Sequence, residues 1–280
     1  MNLETSIVET VKNALFEDLR GQVDLTAQLI PAKRKASARV ITREDMVLCG
    51  TAWVNEVFRQ IDPEVVVCWN YKDGDAIEAD CVLYTLEGNA RSLLTGERTA
   101  LNFLQTLSGV ATITSLFAQK LKGTPTRLLD TRKTIPGLRM AQKYAVKCGG
   151  GCNHRMGLFD AFLIKENHIA ACGSITEAVH AAREIAPGKS VEVEVENIEG
   201  LKEAIAAKAD IIMLDNFNLE RIREAVAVTA GQAKLEVSGD VNLNNIAEIG
   251  ATGVDFVSVG SLTKHVMAIN LSMRFDMRIK

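Results

Sequence analysis

The chain has 280 residues, of which 47% are hydrophobic, 24% charged and 5% aromatic, with a net charge of -3. That length buries a large core as one big domain or two of ordinary size, and the composition excludes a disordered chain. A net charge of -3 gives no bulk attraction to nucleic acid or anionic lipid, and no basic stripe is interleaved with aromatics, so any affinity for anions is local.

At the N-terminus Ile7, Val8, Val11, Leu15 and Phe16 fall at helical spacing with Glu4, Glu9, Lys12, Glu17 and Asp18 between them. This predicts an amphipathic helix over residues 1–21, docked on a domain. It has neither a basic leader nor an apolar signal core, and no apolar run approaches the roughly 20 residues a bilayer span needs, so no membrane partner and a cytoplasmic location are expected. Residues 38–42, 65–69 and 81–86 read as strands and 52–61 as a helix, with a turn at Lys72-Asp73-Gly74-Asp75. A long apolar helix follows over 99–121, through Leu101, Leu104, Leu107, Val110 and Phe117. The six cysteines (Cys49, Cys68, Cys81, Cys148, Cys152, Cys172) form no pairing framework and read as reduced thiols. Cys148, Cys152 and His154 beside a Gly-rich turn lack a convincing fourth metal ligand.

Beyond residue 125 the texture becomes apolar strand, polar tip, helix. The predicted strand ends carry Arg132, Arg155, Lys165, Glu194, Asp215, Ser238 and Gly260, most of them between 21 and 23 residues apart. That is the period of a βα unit, and six or seven such units favour a closed or nearly closed (β/α) barrel with its polar residues at the C-terminal rim. No GxGxxG follows a strand and no Walker motif occurs, which removes the usual support for dinucleotide and P-loop readings.

Arg132, Lys133, Arg155 and Lys165 would face one cavity in such a barrel. Cations crowded at strand ends repel one another unless an anion neutralises them, and a mixture of Arg forks and Lys point charges suits a small molecule with several carboxylates or phosphates. In the run Val191 to Glu196 valine and glutamate alternate, so the valines share one face and the glutamates the other. The glutamates either form the solvated face of an edge strand or point inward, where Glu194 and the strand-end Asp215 would hold sugar hydroxyls or a divalent ion. Small residues at Ser238-Gly239 and Gly260-Ser261 would admit backbone N–H groups to a phosphate. Gly149-Gly150-Gly151 is equally consistent with a flexible turn and with a phosphate cradle.

Several blocks, in order, resemble the quinolinate phosphoribosyltransferase family: Gly96-Glu97-Arg98-Thr99-Ala100-Leu101-Asn102-Phe103, Asp130-Thr131-Arg132-Lys133-Thr134, Asn153-His154-Arg155, Ile164-Lys165-Glu166-Asn167-His168, Glu192-Val193-Glu194-Val195-Glu196, Met213-Leu214-Asp215-Asn216 and Leu262-Thr263-Lys264-His265. The resemblance implies an α/β protein with an N-terminal α/β sandwich domain, residues 1–108 rejoined by 269–280, and a C-terminal incomplete (β/α) barrel, residues 109–268. It implies that quinolinate and 5-phosphoribosyl 1-diphosphate react to nicotinate mononucleotide, diphosphate and carbon dioxide. It also implies a homodimer in which Arg98 serves the partner's active site.

By the family pattern Arg98, Arg132, Lys133, Thr134, His154, Arg155 and Lys165 line the quinolinate and phosphate subsites. Glu194 and Asp215 match the ribose and Mg²⁺ side, and Ser238, Gly239, Gly260 and Ser261 the 5-phosphate loops. Lys133, Lys165, Glu194 and Asp215 are the catalytic candidates, the two lysines as proton donors after decarboxylation. Asn270 stands where an acidic residue is expected, and Cys152 where a small one is. The rivals are a related transferase acting on a monocarboxylate such as nicotinate, the paralogue associated with molybdenum transport, and a Schiff-base aldolase using Lys165 as nucleophile.

Overall fold

The computed structural model of the protein describes residues 2–276. Residue 1 and residues 277–280, which the predicted N-terminal helix and the returning C-terminal segment include, lie outside the described residues. The chain forms two compact units, the first made of residues up to 115, 135–150 and those from 263 onward, the second of 116–134 and 151–262.

Helix α1 (Leu3–Leu19) starts where the Asn2 side chain accepts a hydrogen bond from the Thr5 N–H at 2.9 Å, satisfying one of the donors a helix start leaves open. Ile7, Val11 and Leu15 are buried, whereas Val8 and Phe16 stay exposed, so the docked stripe is narrower than the sequence pattern. Then come β1 (Lys35–Thr42), β2 (Met46–Val47), α2 (Thr51–Ile61), β3 (Val66–Trp69), β4 (Ala76–Ile77), β5 (Val82–Asn89) and α3 (Ala90–Lys120). After these, β6 (Arg127–Leu129) lies in the second unit and α4 (Arg139–Cys148) in the first. The chain continues through β7 (Phe162–Ile164), α5 (Glu166–Cys172), α6 (Ile175–Ile185), β8 (Val191–Val195), α7 (Ile198–Ala206), β9 (Ile211–Asp215), α8 (Leu219–Thr229), β10 (Lys234–Ser238), α9 (Ile246–Gly250), β11 (Phe256–Ser258), α10 (Ser261–Lys264) and β12 (Leu271–Asp276).

The first unit is built on an antiparallel sheet of order β12-β1-β5-β3. Along β1, buried Ala36, Ala38 and Val40 alternate with more exposed Ser37 and Arg39. The alternation stops at Val40/Ile41, where the register with β5 shifts. A bulge there turns consecutive side chains to the same side. Trp53, Phe58, Leu83, Leu86, Leu104 and Leu107 are buried.

Helix α3 begins at Ala90, well before the predicted residue 99. Ala90 and Leu93 extend the buried stripe of Leu101 and Leu104 through a stretch whose Glu97 and Arg98 hide it in the sequence. By length and composition α3 would suffice to cross a bilayer, against the expectation that no segment does, but most of its apolar window is buried inside the protein.

Gly149 caps α4. A Cβ there would sit 2.3 Å from the Ala111 carbonyl oxygen and 2.6 Å from Thr114 Cβ, so the close approach of α4 to α3 requires glycine. Gly150 takes φ +88°, a left-handed conformation that also favours glycine. Gly149→Ala is expected to destabilise the protein by about 3 kcal/mol, since the obstructing atoms are backbone and a Cβ that cannot swing aside. Urea unfolding measures this, and a change of under about 0.5 kcal/mol would contradict it.

The second unit is a six-stranded parallel sheet of order β6-β11-β10-β9-β8-β7. Its helices begin at polar caps one period apart: Ser174 for α6, Asn197 for α7 and Asn218 for α8 each accept a hydrogen bond from a backbone N–H three residues on. Six strands leave β6 and β7 as the two ends of the sheet, so the barrel is incomplete rather than closed. At the β6 end, Cys152 N–H donates to the Leu128 carbonyl at 2.8 Å and Asp130 N–H to the Cys152 carbonyl at 3.1 Å. One face of the sheet buries Val191, Val193, Val195, Ile212, Leu214, Leu235, Val237 and Val257. With a side-chain period of two, the other face presents Glu192, Glu194, Met213, Asp215, Glu236, Ser238 and Ser258.

Candidate active site

The C-terminal ends of these strands surround a cavity of about 300 Å³ lined by Thr131, Arg132, Lys133, His154, Arg155, Leu163, Lys165, Glu194, Met213, Glu236, Ser238 and Ser258. The register explains the grouping: Glu194 lies opposite Met213, and Met213 opposite Glu236, placing three neighbouring strands' side chains in one row. β8 lies between β7 and β9 rather than at an edge, and Glu192 on its glutamate face is buried. Arg132 and Lys133 follow β6, and Lys165 is the first residue after β7.

His154 and Arg155 lie on a segment that Asp130 fixes. The fully buried Asp130 carboxylate accepts from the His154 N–H at 2.9 Å and from Asn153 Nδ2 at 2.6 Å. His154 Nδ1 accepts the Arg155 N–H at 2.7 Å, so Nε2 carries the ring proton, 2.8 Å from Glu192 Oε2 and 3.6 Å from Glu236 Oε2.

The buried Glu236 carboxyl is pushed up to about 8, by burial first and by the Glu192 charge second. Lys165 Nζ pairs with Glu194 Oε2 at 2.5 Å. Arg155 is pulled below its ordinary value, first by burial and then by the Arg132 charge, which together outweigh Glu192 and Asp160. The Arg132 Nε is buried without a hydrogen-bond partner. The cavity lining carries Arg132, Lys133, Arg155 and Lys165 against the carboxyls of Glu194 and Glu236, so it is electropositive, and Arg132 offers an unsatisfied donor to an anion.

Of the residues singled out in the sequence, Arg132, Lys133, His154, Arg155, Lys165, Glu194 and Ser238 line this cavity. Asp215, Thr134, Gly239, Gly260 and Ser261 do not line it. Asp215 ends β9 opposite Ser238, and its Oδ2 accepts from Asn216 Nδ2 at 3.0 Å. A Cβ at Gly239 would lie 2.1 Å from Asn216 Oδ1, and one at Gly260 would lie 2.9 Å from Lys133 Cδ. Arg98 is exposed in the first unit and lines a different cavity of about 450 Å³ there, with Glu17, Asp18, Asn102 and Pro136. The sequence gives no role to Glu236 or Asp130, and leaves Glu192 open between a solvated and an inward face. A charged residue inside an apolar strand, as in Leu235-Glu236-Val237, was the available signal.

The fold and cavity are those of a parallel-sheet α/β protein with a cation-rich pocket at the ends of its strands. The chain belongs to the quinolinate phosphoribosyl transferase family: residues 24–108 match its N-terminal domain and residues 110–274 its C-terminal domain. It is 42% identical over 262 residues to the probable nicotinate-nucleotide pyrophosphorylase (carboxylating) of Bacillus subtilis, covering 93% of this chain and 91% of that protein. It is 40% identical to the nicotinate-nucleotide pyrophosphorylase (carboxylating) of Mycobacterium leprae, covering 95% of each. The solved structure of the nicotinate-nucleotide pyrophosphorylase from Francisella tularensis superposes with a TM-score of 0.95 at 50% identity, covering 99% of this chain and 98% of that one.

Proposed function

We propose that the chain joins quinolinate to 5-phosphoribosyl 1-diphosphate and releases nicotinate mononucleotide, diphosphate and carbon dioxide, a step of de novo NAD biosynthesis. The observation that carries this reading is the cation cluster of Arg132, Lys133, Arg155 and Lys165 around one small cavity in a chain of this family. Quinolinate is a dicarboxylate, and bidentate Arg contacts both neutralise and orient carboxylates. Positioning of this kind accounts for much of the rate in a reaction whose bond changes are intrinsic to the substrates.

As diphosphate departs, positive charge develops on the ribose, and anionic Glu194 at the cavity wall favours that state. Loss of the carboxylate beside the ring nitrogen leaves an electron pair that the newly formed pyridinium stabilises, and Lys133 or Lys165 supplies the proton. Glu194 and Asp215 are hard oxygen donors of the kind Mg²⁺ prefers, and each has one carboxylate oxygen outside the hydrogen bonds to Lys165 and Asn216. They would hold the ion, which when bound neutralises the leaving diphosphate. Thr134, Gly239, Gly260 and Ser261 would meet the phosphate groups. Arg98, exposed in the first unit, would complete the cavity of a second copy in a homodimer. Six cysteines without a disulfide support a reducing, cytoplasmic setting.

The test supplies purified protein with 5-phosphoribosyl 1-diphosphate, Mg²⁺ and either quinolinate or nicotinate, and follows nicotinate mononucleotide and carbon dioxide. Product from quinolinate alone is expected. Product from nicotinate alone, or from neither, would overturn the proposal.

A further inference from the structure

We propose that Cys49, Asp73 and Cys148 in the first unit form a binding site for a soft divalent metal ion of the Zn²⁺ type. None of the three lines the strand-end cavity. They come from three separate places in the chain: Cys49 just before α2, Asp73 in the turn between β3 and β4, and Cys148 as the last residue of α4. Their two sulfurs and a carboxylate oxygen all lie within 4.8 Å of one another. Tetrahedral zinc with thiolate and carboxylate ligands holds them roughly 3.5 Å apart, so small side-chain movements suffice to close the site.

The surroundings hold these ligands in place as outer partners do in metal sites. Cys49 is fully buried, its N–H donates to Ser108 Oγ at 3.0 Å, and the Ser108 hydroxyl donates back to its carbonyl at 3.1 Å. Asp73 Oδ1 accepts the Gly50 and Thr51 N–H groups, both at 3.1 Å, while Tyr144 O–H donates to Oδ2 at 2.9 Å. Those two N–H groups belong to the start of α2, whose partial positive charge favours anionic ligands beside it.

Binding exchanges the two thiol protons, released to solvent, for bonds from both sulfurs to the ion, and Asp73 contributes its existing negative charge. Three protein ligands leave a fourth position for water. Cys148 therefore has metal-binding neighbours, though not the Cys152 and His154 close to it in the sequence.

The experiment uses the full chain, reduced and stripped with chelator, titrated with Co²⁺ and then Zn²⁺. Expected are a thiolate-to-cobalt charge-transfer absorption that saturates at one equivalent per chain, its displacement by Zn²⁺, and a rise in Tm. Loss of an outer partner alone weakens metal binding about 10- to 100-fold, so Cys148→Ser is expected to abolish the absorption and weaken Zn²⁺ at least about 100-fold. Cys172→Ser, at an exposed thiol, should leave both unchanged. Cys148→Ala gives the same reading should the serine variant prove unstable. A wild-type protein without the absorption, or a folded Cys148 variant that keeps it, would overturn the proposal.

Discussion

Arg132→Met is expected to cut kcat/KM for quinolinate by about 10²- to 10⁴-fold while leaving the protein at least as stable as the wild type. Arg132 lines the strand-end cavity, and its Nε is buried with no hydrogen-bond partner. Its charge also contributes to holding Arg155 below its ordinary value, after burial. Both observations describe a cation that the folded protein supports at some expense until an anion arrives. Removing one member of a desolvated charge pair costs about 3–5 kcal/mol, and at about 1.4 kcal/mol per tenfold this gives the stated range. Methionine fills similar volume and relieves the repulsion from Arg155, so thermal unfolding without ligand should show no loss. Adding quinolinate should raise Tm in the wild type much more than in the variant. A folded variant with near-normal kcat/KM would remove Arg132 from the substrate's binding groups.

The sequence made the skeleton of this arrangement readable because buried parallel strands advertise themselves as apolar runs ending in polar residues. Glu194, Asp215 and Ser238 fall at or next to the ends of β8, β9 and β10, as the period predicts. Side-chain destinations were harder to see where they depend on distant partners. Glu192 stood in the alternating run, but only the packing around the cavity shows that it is buried. Glu236 is marked in the sequence only as a charge inside an apolar run, yet the pairing of β10 with β9 puts it in the row of Glu194. Cys148 and Cys152 are neighbours in the chain, but α4 ends beside Cys49 and Asp73, while Cys152 bridges to β6 and its Sγ accepts from Arg127. Nearness in sequence fixes spacing along one element and says little about which elements meet.

Glu236→Gln is expected to flatten the dependence of stability on pH. The Glu236 carboxyl is raised to about 8 by burial and then by Glu192 on β8, with His154 and Ser258 partly opposing. In the unfolded chain a glutamate titrates near about 4.3. Between those values the native state holds a proton that the unfolded chain has released, so native stability falls as pH rises through this window and levels off above it. At about 1.4 kcal/mol per pH unit the full fall is on the order of 5 kcal/mol, and glutamine at the same place does not titrate.

Wild type and variant should therefore have similar unfolding free energies near pH 5. The variant should be the more stable near pH 9, by about 2 kcal/mol or more after relaxation around the buried charge. Urea unfolding at pH 5, 7 and 9 reads this directly. Parallel curves would mean that Glu236 does not hold the proton, leaving the buried pair to share it through Glu192 and the Nε2 proton of His154. The distinction bears on the cavity's chemistry, because a neutral Glu236 leaves Arg132 and Arg155 available to the substrate, whereas an ionised one would compete with it for them.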